Sequence, residues 1–122
     1  MVILTQYIAK HEWAPIRRMV TLEDILEGSH KVLKGLAVET KSMLKGARFY
    51  KVCVGKKGNA RMIVFLATES QKIVPVLIRL KKDKLFGTNM AMNNTQVVLQ
   101  LRKNLDHIID DMEKGKYEEF SF

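Results

Sequence analysis

Basic side chains on a run of apolar segments are the residues of this chain best suited to chemistry. Between Lys41 and Lys84 the sequence carries twelve lysines and arginines but only two acids, Glu69 and Asp83. Cations held at fixed positions can bind a phosphate and stabilise the charge that develops during its transfer. We therefore predict that this segment forms a platform for a polyanion.

Three apolar runs, at about residues 47–54, 60–67 and 72–80, must position those cations. Aromatic and β-branched residues fill the runs and short polar turns separate them, which is typical of an antiparallel meander. Pro75 has no N–H to donate to a sheet. The third strand is therefore expected to be irregular at Pro75 or unpaired on one side.

The first turn of this meander, residues 55–59, determines which side chains share a face. Two glycines suit a tight turn at this position. With such a turn Cys53 lies opposite Arg61, and Lys51 joins them because residues two apart in a strand point the same way.

The second turn, expected at residues 68–71, extends the pattern to the third strand. It places Lys82 on the face of Arg61 and turns Arg79 to the opposite face. We therefore predict that Lys51, Arg61 and Lys82 converge on one concave surface. A register shift of one residue would scatter them.

Arg61 also has a purely structural interpretation. It begins an otherwise apolar strand, where a charge needs a partner or solvent. Such an arginine is often exposed at a strand end and paired with a carboxylate, for which Glu69 and Glu119 are candidates. By the same reasoning, Lys56 and Lys57 would be the solvated side chains of a turn.

Other catalytic signatures are absent from the sequence. No glycine-rich phosphate loop and no metal-binding pattern occurs, and His11, His30 and His107 are scattered, so we expect no metal and no cofactor. Cys53 is the single cysteine, which rules out a disulfide within the chain. We interpret it as a small, half-buried strand residue.

Length and charge bound the class of protein. The 122 residues suit one domain with a real core, and the formal net charge of +8 favours nucleic acid, ribosomes, an anionic membrane or an acidic partner. A basic surface without such a partner is the alternative. No apolar run of about 18 residues and no signal peptide is visible, so a cytoplasmic protein is expected.

The N-terminal part predicts one strand followed by helices. Residues 1–8 are apolar and β-branched, and helices are expected over about residues 12–36. Thr21 with Asp24 resembles a capping box for the clearer helix. A break or an end is expected at one of its two glycines, and residues 38–46 form a connector.

The C-terminal part predicts a loop over residues 85–94 and a helix over about residues 95–114. Apolar residues recur there at helical spacing, with Asn94 or Thr95 as cap. The tail, residues 117–122, is expected to pack in order because its aromatic residues are large. The order of elements predicts a single α+β domain whose helices cover one face of the sheet.

Four segments carry a family resemblance. They are LKG at residues 44–46, FYKV at residues 49–52, GKKGNARMIVFL at residues 55–66 and VPVLIRLKKDK at residues 74–84. Together they resemble the RelE/HigB-like toxins of bacterial type II toxin–antitoxin systems, within the RelE/ParE superfamily. The resemblance implies a β–α–α–β–β–β–α fold over the whole chain.

The same resemblance implies an activity and partners. Such toxins are small basic endoribonucleases (mRNA interferases) that enter the ribosome, cut mRNA and so inhibit translation, and a cognate antitoxin neutralises them. They use no metal, since the 2′-hydroxyl attacks the adjacent phosphate and leaves a cyclic phosphate and a 5′-hydroxyl.

The resemblance also implies roles for individual residues. Arg61 would bind the scissile phosphate, Lys51 could serve as the base, and Lys82 would stabilise charge or protonate the leaving oxygen. The residues expected to contact RNA or the ribosome are Lys45, Arg48, Lys56, Lys57, Lys81, Lys84 and Phe86.

Some positions depart from the family pattern. Cys53 stands where many members carry a second basic residue, and no tyrosine follows Lys84. Related ParE-type toxins share the fold, inhibit gyrase and do not cut RNA, so fold alone does not define the activity. The alternatives are a ParE-like inhibitor and an inactive domain that binds an antitoxin or nucleic acid.

Overall fold

A computed structural model describes residues 1–40, 47–67, 69–83 and 94–121 of the chain. Its strands are β1 (Val2–Thr5), β2 (Val38–Thr40), β3 (Ala47–Val54), β4 (Ala60–Ala67), β5 (Lys72–Leu80) and β6 (Tyr117–Phe120). Its helices are α1 (Gln6–Ile8), α2 (Leu22–Leu33) and α3 (Thr95–Glu113). The strands form one sheet in the order β2-β3-β4-β5-β1-β6.

This sheet is mostly antiparallel, and β1 with β5 is its one parallel pair among the described strands. With the helices it makes an α+β architecture, which confirms this part of the predicted fold. No helix in the described ranges is long and apolar enough to cross a membrane.

The predicted meander is confirmed, with the bounds of β3, β4 and β5 at the expected residues. Cys53 pairs with Arg61 and Val54 with Ala60, as the first turn requires. That turn contains a short 3-10 segment, Lys56–Gly58, and Gly55 before it has a φ of 84°, which glycine adopts without strain.

Strand β5 is irregular next to Pro75, as expected. The irregularity reverses which side chains of β5 point to each face of the sheet beyond Val76. Val64 pairs with Pro75 but Ile63 pairs with Leu77, so Val76 is an extra residue in the ladder. Such a bulge disturbs local pairing. Asn104 of α3 stabilises it, because its Nδ2 donates to the backbone oxygen of Val76 at 2.7 Å.

The N-terminal strand is shorter than predicted. β1 ends at Thr5, and α1 begins at Gln6 and continues through a π-helical turn (Ala9–Trp13) and a 3-10 turn (Ala14–Ile16). The expected helix start near Glu12 or Trp13 is therefore wrong. The apolar residues Tyr7 and Ile8 extend the strand pattern into what is a helix, because helical packing buries them just as well.

Helix α2 begins with the predicted capping box. Thr21 Oγ1 accepts from the N–H of Asp24 at 3.1 Å, and Asp24 Oδ2 accepts from the N–H of Thr21 at 2.9 Å. The helix runs through Gly28 and ends before Gly35, whose φ is 74°. Gly28 packs directly against Val54 of β3, so a larger residue there would require the Val54 side chain or the helix to shift.

Helix α3 has the predicted extent and cap, since Asn94 Oδ1 accepts from the N–H of Gln96 at 2.9 Å. It packs against Phe65 and Val74, which lie on the sheet face opposite to Val54. The helices therefore cover both faces, and the expectation of one covered face is wrong. Alternation of the strands shows which residues share a face, but not which helix covers them.

Two strands were not predicted. β2 lies in the expected connector and pairs with β3, while β6 lies in the tail and pairs with β1. The expected order of the tail is confirmed for Tyr117–Phe120, and Phe122 lies outside the described residues. Both strands are short, so their own sequences carry little signal. Each is defined by its pairing with another strand.

Candidate nucleic-acid interface

Lys51 and Arg61 lie together in an open recess on the sheet, as the sequence predicts. The recess has a volume of about 240 Å³ and is also lined by Val38, Val52 and Cys53. The first hairpin brings the two cations to one face, because Lys51 is opposite Ile63 and Cys53 is opposite Arg61. Strand β2 adds Val38 as a wall that the sequence did not predict.

Arg61 is half-buried, and it has no hydrogen bond or ion pair with any residue that the structure describes. The structural alternative paired it with Glu69 or Glu119, but Glu119 instead binds Lys72 at 3.8 Å. A cation on a half-open face without a carboxylate is available to an external anion. Within the described ranges, the structure therefore does not bear out the structural interpretation of Arg61.

Cys53 is more open than expected. It is exposed and carries a free thiol, whereas the sequence suggested a half-buried residue. Its position between Lys51 and Arg61 on the same face makes it part of the recess.

Lys82 does not join this recess, so one predicted member of the site is misplaced. It lines a second recess of about 450 Å³ beside the N-terminal helical segment, together with Glu12, Arg79 and Asp83, and none of these residues lines the first recess. The cause is the bulge at Val76, which reverses the facing of the strand beyond it. Arg79 consequently lies opposite Arg61 on the same face, and the prediction that it points away is wrong.

Lys81 approaches the first recess instead of Lys82. A Cβ atom built on Gly58 would lie 3.4 Å from Cβ of Cys53 and 3.6 Å from Nζ of Lys81. The N–H of Lys81 donates to the oxygen of Asn59 at 3.0 Å, so strand pairing continues past Leu80. The ammonium of Lys81 therefore lies beside Gly58 of the turn, which Cys53 also approaches.

Arg79 is held by a buried carboxylate from the N-terminal segment. Its Nε and Nη2 donate to the two oxygens of Glu12 at 3.1 and 2.9 Å, and its Nη1 lies 3.8 Å from Asp83 Oδ2. Burial by itself lowers the pKa of Arg79, but the hydrogen bond and charge of Glu12, with Asp83 and Tyr7 adding, raise it above its ordinary value. Arg79 is therefore a fixed positive charge.

The remaining predicted RNA contacts differ in their surroundings. Lys56 and Lys57 are exposed on the first turn. Arg48 lies near the start of β3, 3.8 Å from Glu39, and its pKa is raised by a hydrogen bond with Tyr50 and by the charge of Glu39. Any anion at Arg48 would compete with that carboxylate. Lys45, Lys84 and Phe86 lie outside the described residues.

The histidines do not contribute to the recess. The ring centroids of His11 and His107 lie 4.4 and 3.9 Å from that of Tyr7. Neither histidine lines the recess of Lys51 and Arg61. In the part of the chain that the structure describes, no group of three or more His, Cys, Asp or Glu residues could hold a metal ion.

Comparison with known proteins does not add to this picture. No protein-family model matches the chain, and neither a curated protein nor a solved structure matches it. The resemblance to RelE/HigB-like toxins therefore rests on the sequence segments alone. What the site can do must be argued from its geometry.

Sequence reasoning turned Arg79 away from the face of Arg61, and it placed Lys81 among the RNA contacts but gave the catalytic position to Lys82. The available signal was Pro75, since a proline inside a strand often marks a bulge. A bulge on either side of it reverses the alternation for the basic end of the strand. The bulge lies at Val76, whose oxygen accepts a hydrogen bond from Asn104, and no local pattern reveals that contact.

Proposed function

We propose that this protein is the toxin of a toxin–antitoxin pair and acts as a ribosome-dependent mRNA endoribonuclease. One observation carries the proposal: Lys51 and Arg61 share an open recess, and Arg61 has no carboxylate partner among the described residues. A cation in this state favours a phosphate group. The motif resemblance supplies the kind of phosphate, an RNA backbone.

The chemistry suited to this recess is attack within the RNA chain. The 2′-hydroxyl loses its proton to Lys51 as the general base, and its oxygen forms a bond to the adjacent phosphorus. Arg61 binds the phosphate and stabilises the charge of the phosphorane. The bond to the 5′-oxygen then breaks, and that oxygen takes a proton from a neighbouring lysine ammonium or from water, which leaves a 5′-hydroxyl and a cyclic phosphate.

The third cation of this scheme differs from the expected one. Lys81 lies beside the turn that Cys53 also approaches, whereas Lys82 and Arg79 line the other recess. We therefore assign charge stabilisation at the leaving oxygen to Lys81. Lys56 and Lys57, exposed on the adjacent turn, contact ribosomal RNA and gain affinity by counterion release.

A second candidate is a non-catalytic inhibitor of the ParE type, or an inactive domain that binds an antitoxin. The observation that favours it is the loss of Lys82 from the site, together with the neutralisation of Arg79 by Glu12. Fewer unneutralised cations then face a phosphate than the resemblance implies.

Expression in cells under tight induction tests the proposal. Growth and mRNA 5′ ends are compared for the wild type, Arg61→Ala and Arg102→Ala, the last being an exposed arginine on α3 outside the recess. The proposal requires growth arrest with new cuts in translated mRNA, both lost in Arg61→Ala and both kept in Arg102→Ala.

Other outcomes point elsewhere. Arrest without new mRNA ends would favour the gyrase-type inhibitor. Folded wild-type protein that causes no arrest would remove the catalytic roles of Lys51 and Arg61.

A further inference from the structure

The sheet ends at β6, whose outer edge pairs with no other strand among those that the structure describes. The N–H of Gln6 donates to the oxygen of Lys116 at 3.0 Å, so the carbonyl of Lys116 points towards β1. In an antiparallel pair, successive residues alternate between facing the partner strand and facing away from it. Tyr117 and Glu119 therefore direct their N–H and C=O groups outward, where another strand can pair with them.

An open groove lies beside this edge, on the sheet face that α2 covers. Its volume is about 510 Å³, which is larger than that of either recess described above. Leu4, Glu118 and Phe120 line it from the sheet and share one face, because Leu4 pairs with Glu118 and Phe120 comes two positions later. Trp13 and Leu22 line it from the helical side. The walls of the groove are therefore mainly apolar, and two of them are aromatic.

Trp13 is a wall that is fixed before anything binds. Its Nε1 donates to the backbone oxygen of Val20 at 2.8 Å, and the guanidinium of Arg17 lies 5.0 Å from the ring centroid. The side chain is half-buried, so part of the ring stays open to the groove. A preformed aromatic wall lowers the ordering cost of binding.

The pairing geometry defines which side chains a bound strand would send into the groove. Residues opposite Glu118 and Phe120 point to the same face as those two and are themselves two positions apart. Glu118 is exposed and has no ion pair with any residue that the structure describes, and Lys116, the other charged residue of the lining, precedes β6. Glu118 therefore favours Lys or Arg opposite it, and the apolar groove at Phe120 favours a large apolar side chain.

Charge argues against two other occupants of this edge. The carboxylate of Glu118 would repel an RNA backbone, since no described cation neutralises it. The longest antiparallel pairing of β6 with a second copy of the chain would set Glu118 opposite its own counterpart, and like charges in that position are destabilising. A basic segment of another protein meets neither obstacle.

We propose that β6 and the groove beside it form a docking site for an extended segment of a partner protein. The segment adds a strand to the sheet and carries Lys or Arg two positions from a large apolar residue. Backbone pairing at Tyr117 and Glu119 supplies affinity, and the groove supplies selectivity. The strands β5 and β1 lie between β6 and the strand of Arg61. The docking site is therefore separate from the cationic recess and does not depend on the proposed ribonuclease function.

Trp13 serves as the reporter in the test, because it is the single tryptophan of the chain and it lines the groove. The probe is the synthetic peptide TTFTKTFTT, in which a phenylalanine lies two positions to either side of the lysine, so that both strand directions are served. Its matched control is TTFTETFTT. Tryptophan emission is titrated for the wild type, Glu118→Lys and Glu113→Lys. The last variant makes the same charge change at an exposed position of α3 outside the groove.

Docking predicts that TTFTKTFTT shifts the Trp13 emission of the wild type saturably. TTFTETFTT should bind about 3-fold to 10-fold more weakly, as for the loss of an exposed ion pair and its replacement by repulsion. Glu118→Lys should reverse this preference, whereas Glu113→Lys should keep it. An RNA oligonucleotide should not displace the peptide, because the cationic recess lies elsewhere on the sheet.

Other results would overturn the proposal. Folded wild-type protein whose Trp13 emission does not respond to millimolar TTFTKTFTT has no such docking site. Equal affinities of the two peptides for both the wild type and Glu118→Lys would show that the edge does not select a basic residue. Displacement of the peptide by RNA would assign the groove to nucleic acid. A dimer seen by sedimentation that the peptide dissociates would assign the edge to a second copy of the chain.

Discussion

Arg61 and Arg79 are directly paired residues of β4 and β5, and they lie on the same face of the sheet. This relationship exists because Val76 is bulged out of the ladder between them and the second turn. A regular strand would have turned Arg79 to the face covered by α2. The chemistry that the cationic face can do therefore depends on one irregular residue next to Pro75.

Two adjacent lysines after β5 provide the sharpest test of this bulge. Lys81→Ala is expected to weaken binding to an RNA oligonucleotide and to reduce mRNA cutting, because Lys81 lies beside Gly58 of the turn that Cys53 also approaches. Lys82→Ala should have a smaller effect, since Lys82 lines the other recess. Both variants lose one positive charge. A difference between their RNA affinities at the same salt concentration therefore reports the position of the lysine and not the change in net charge. A larger effect of Lys82→Ala than of Lys81→Ala would instead indicate a regular strand and contradict the bulge at Val76.

The bulge itself should depend on Asn104. Asn104→Ala removes the donor to the buried oxygen of Val76, and leaving such a group unpaired costs about 1–3 kcal/mol. Unfolding in urea measures the loss. The matched control is Gln100→Ala, which removes the partner of Asn104 Oδ1 but keeps the bond to Val76. Equal losses in the two variants would show that the bulge does not need this hydrogen bond.

Gly28 should resist replacement although it lies in the middle of a helix. Alanine is favoured there by about 1 kcal/mol in helix propensity, but its Cβ would meet Val54 of β3 and, at 3.3 Å, Met62 of β4. Overpacking costs about 1–3 kcal/mol, so we expect Gly28→Ala to lower the free energy of unfolding.

The sign of that change should reverse in a second background. In Val54→Ala the opposing side chain is shortened, so adding Gly28→Ala should raise the free energy of unfolding. A double-mutant cycle by chemical denaturation measures the coupling. Independent, additive effects of the two substitutions would show that the helix does not approach the strand as described.

Tyr7 should make stability sensitive to alkaline pH. Burial raises the pKa of its phenol, the charge of Glu12 raises it further, and Arg79 opposes them. The fold thus favours the neutral phenol. The associated stability is fully present below the pKa of an unfolded tyrosine, about 10, and is lost as pH rises through the higher value in the folded state.

The measurement compares the wild type with Tyr7→Phe. Plotted against pH, the unfolding free energies of the two proteins should run parallel near neutral pH. Above the ordinary pKa of tyrosine, the unfolding free energy of the wild type should fall more steeply than that of Tyr7→Phe. Absorbance titration of the folded proteins gives the pKa of Tyr7 by difference. A phenol that ionises at or below its ordinary value would contradict the described burial.

The chain by itself determines the elements whose hydrogen bonds are local. The register of the first hairpin follows from a five-residue turn rich in glycine, which places Cys53 opposite Arg61. The capping box of α2 and the Asn94 cap of α3 involve residues only two or three positions apart. The spacing of apolar residues predicts the extent of α3. The alternation of side chains along the strands of the first hairpin predicts that Lys51 and Arg61 share one face.

Tertiary structure alone decided what depends on distant partners. The bulge beside Pro75 meets a partner far along the chain, because Asn104, which comes 28 positions after Val76, donates to the oxygen of Val76. The strands β2 and β6 exist because β3 and β1 offer them hydrogen bonds. Glu12 meets Arg79 across 67 positions, and such a pair has no signature in the sequence around either residue. Local patterns specify backbone geometry. The bulge, and with it the position of Lys81 rather than Lys82 near the first turn, depends on packing between elements.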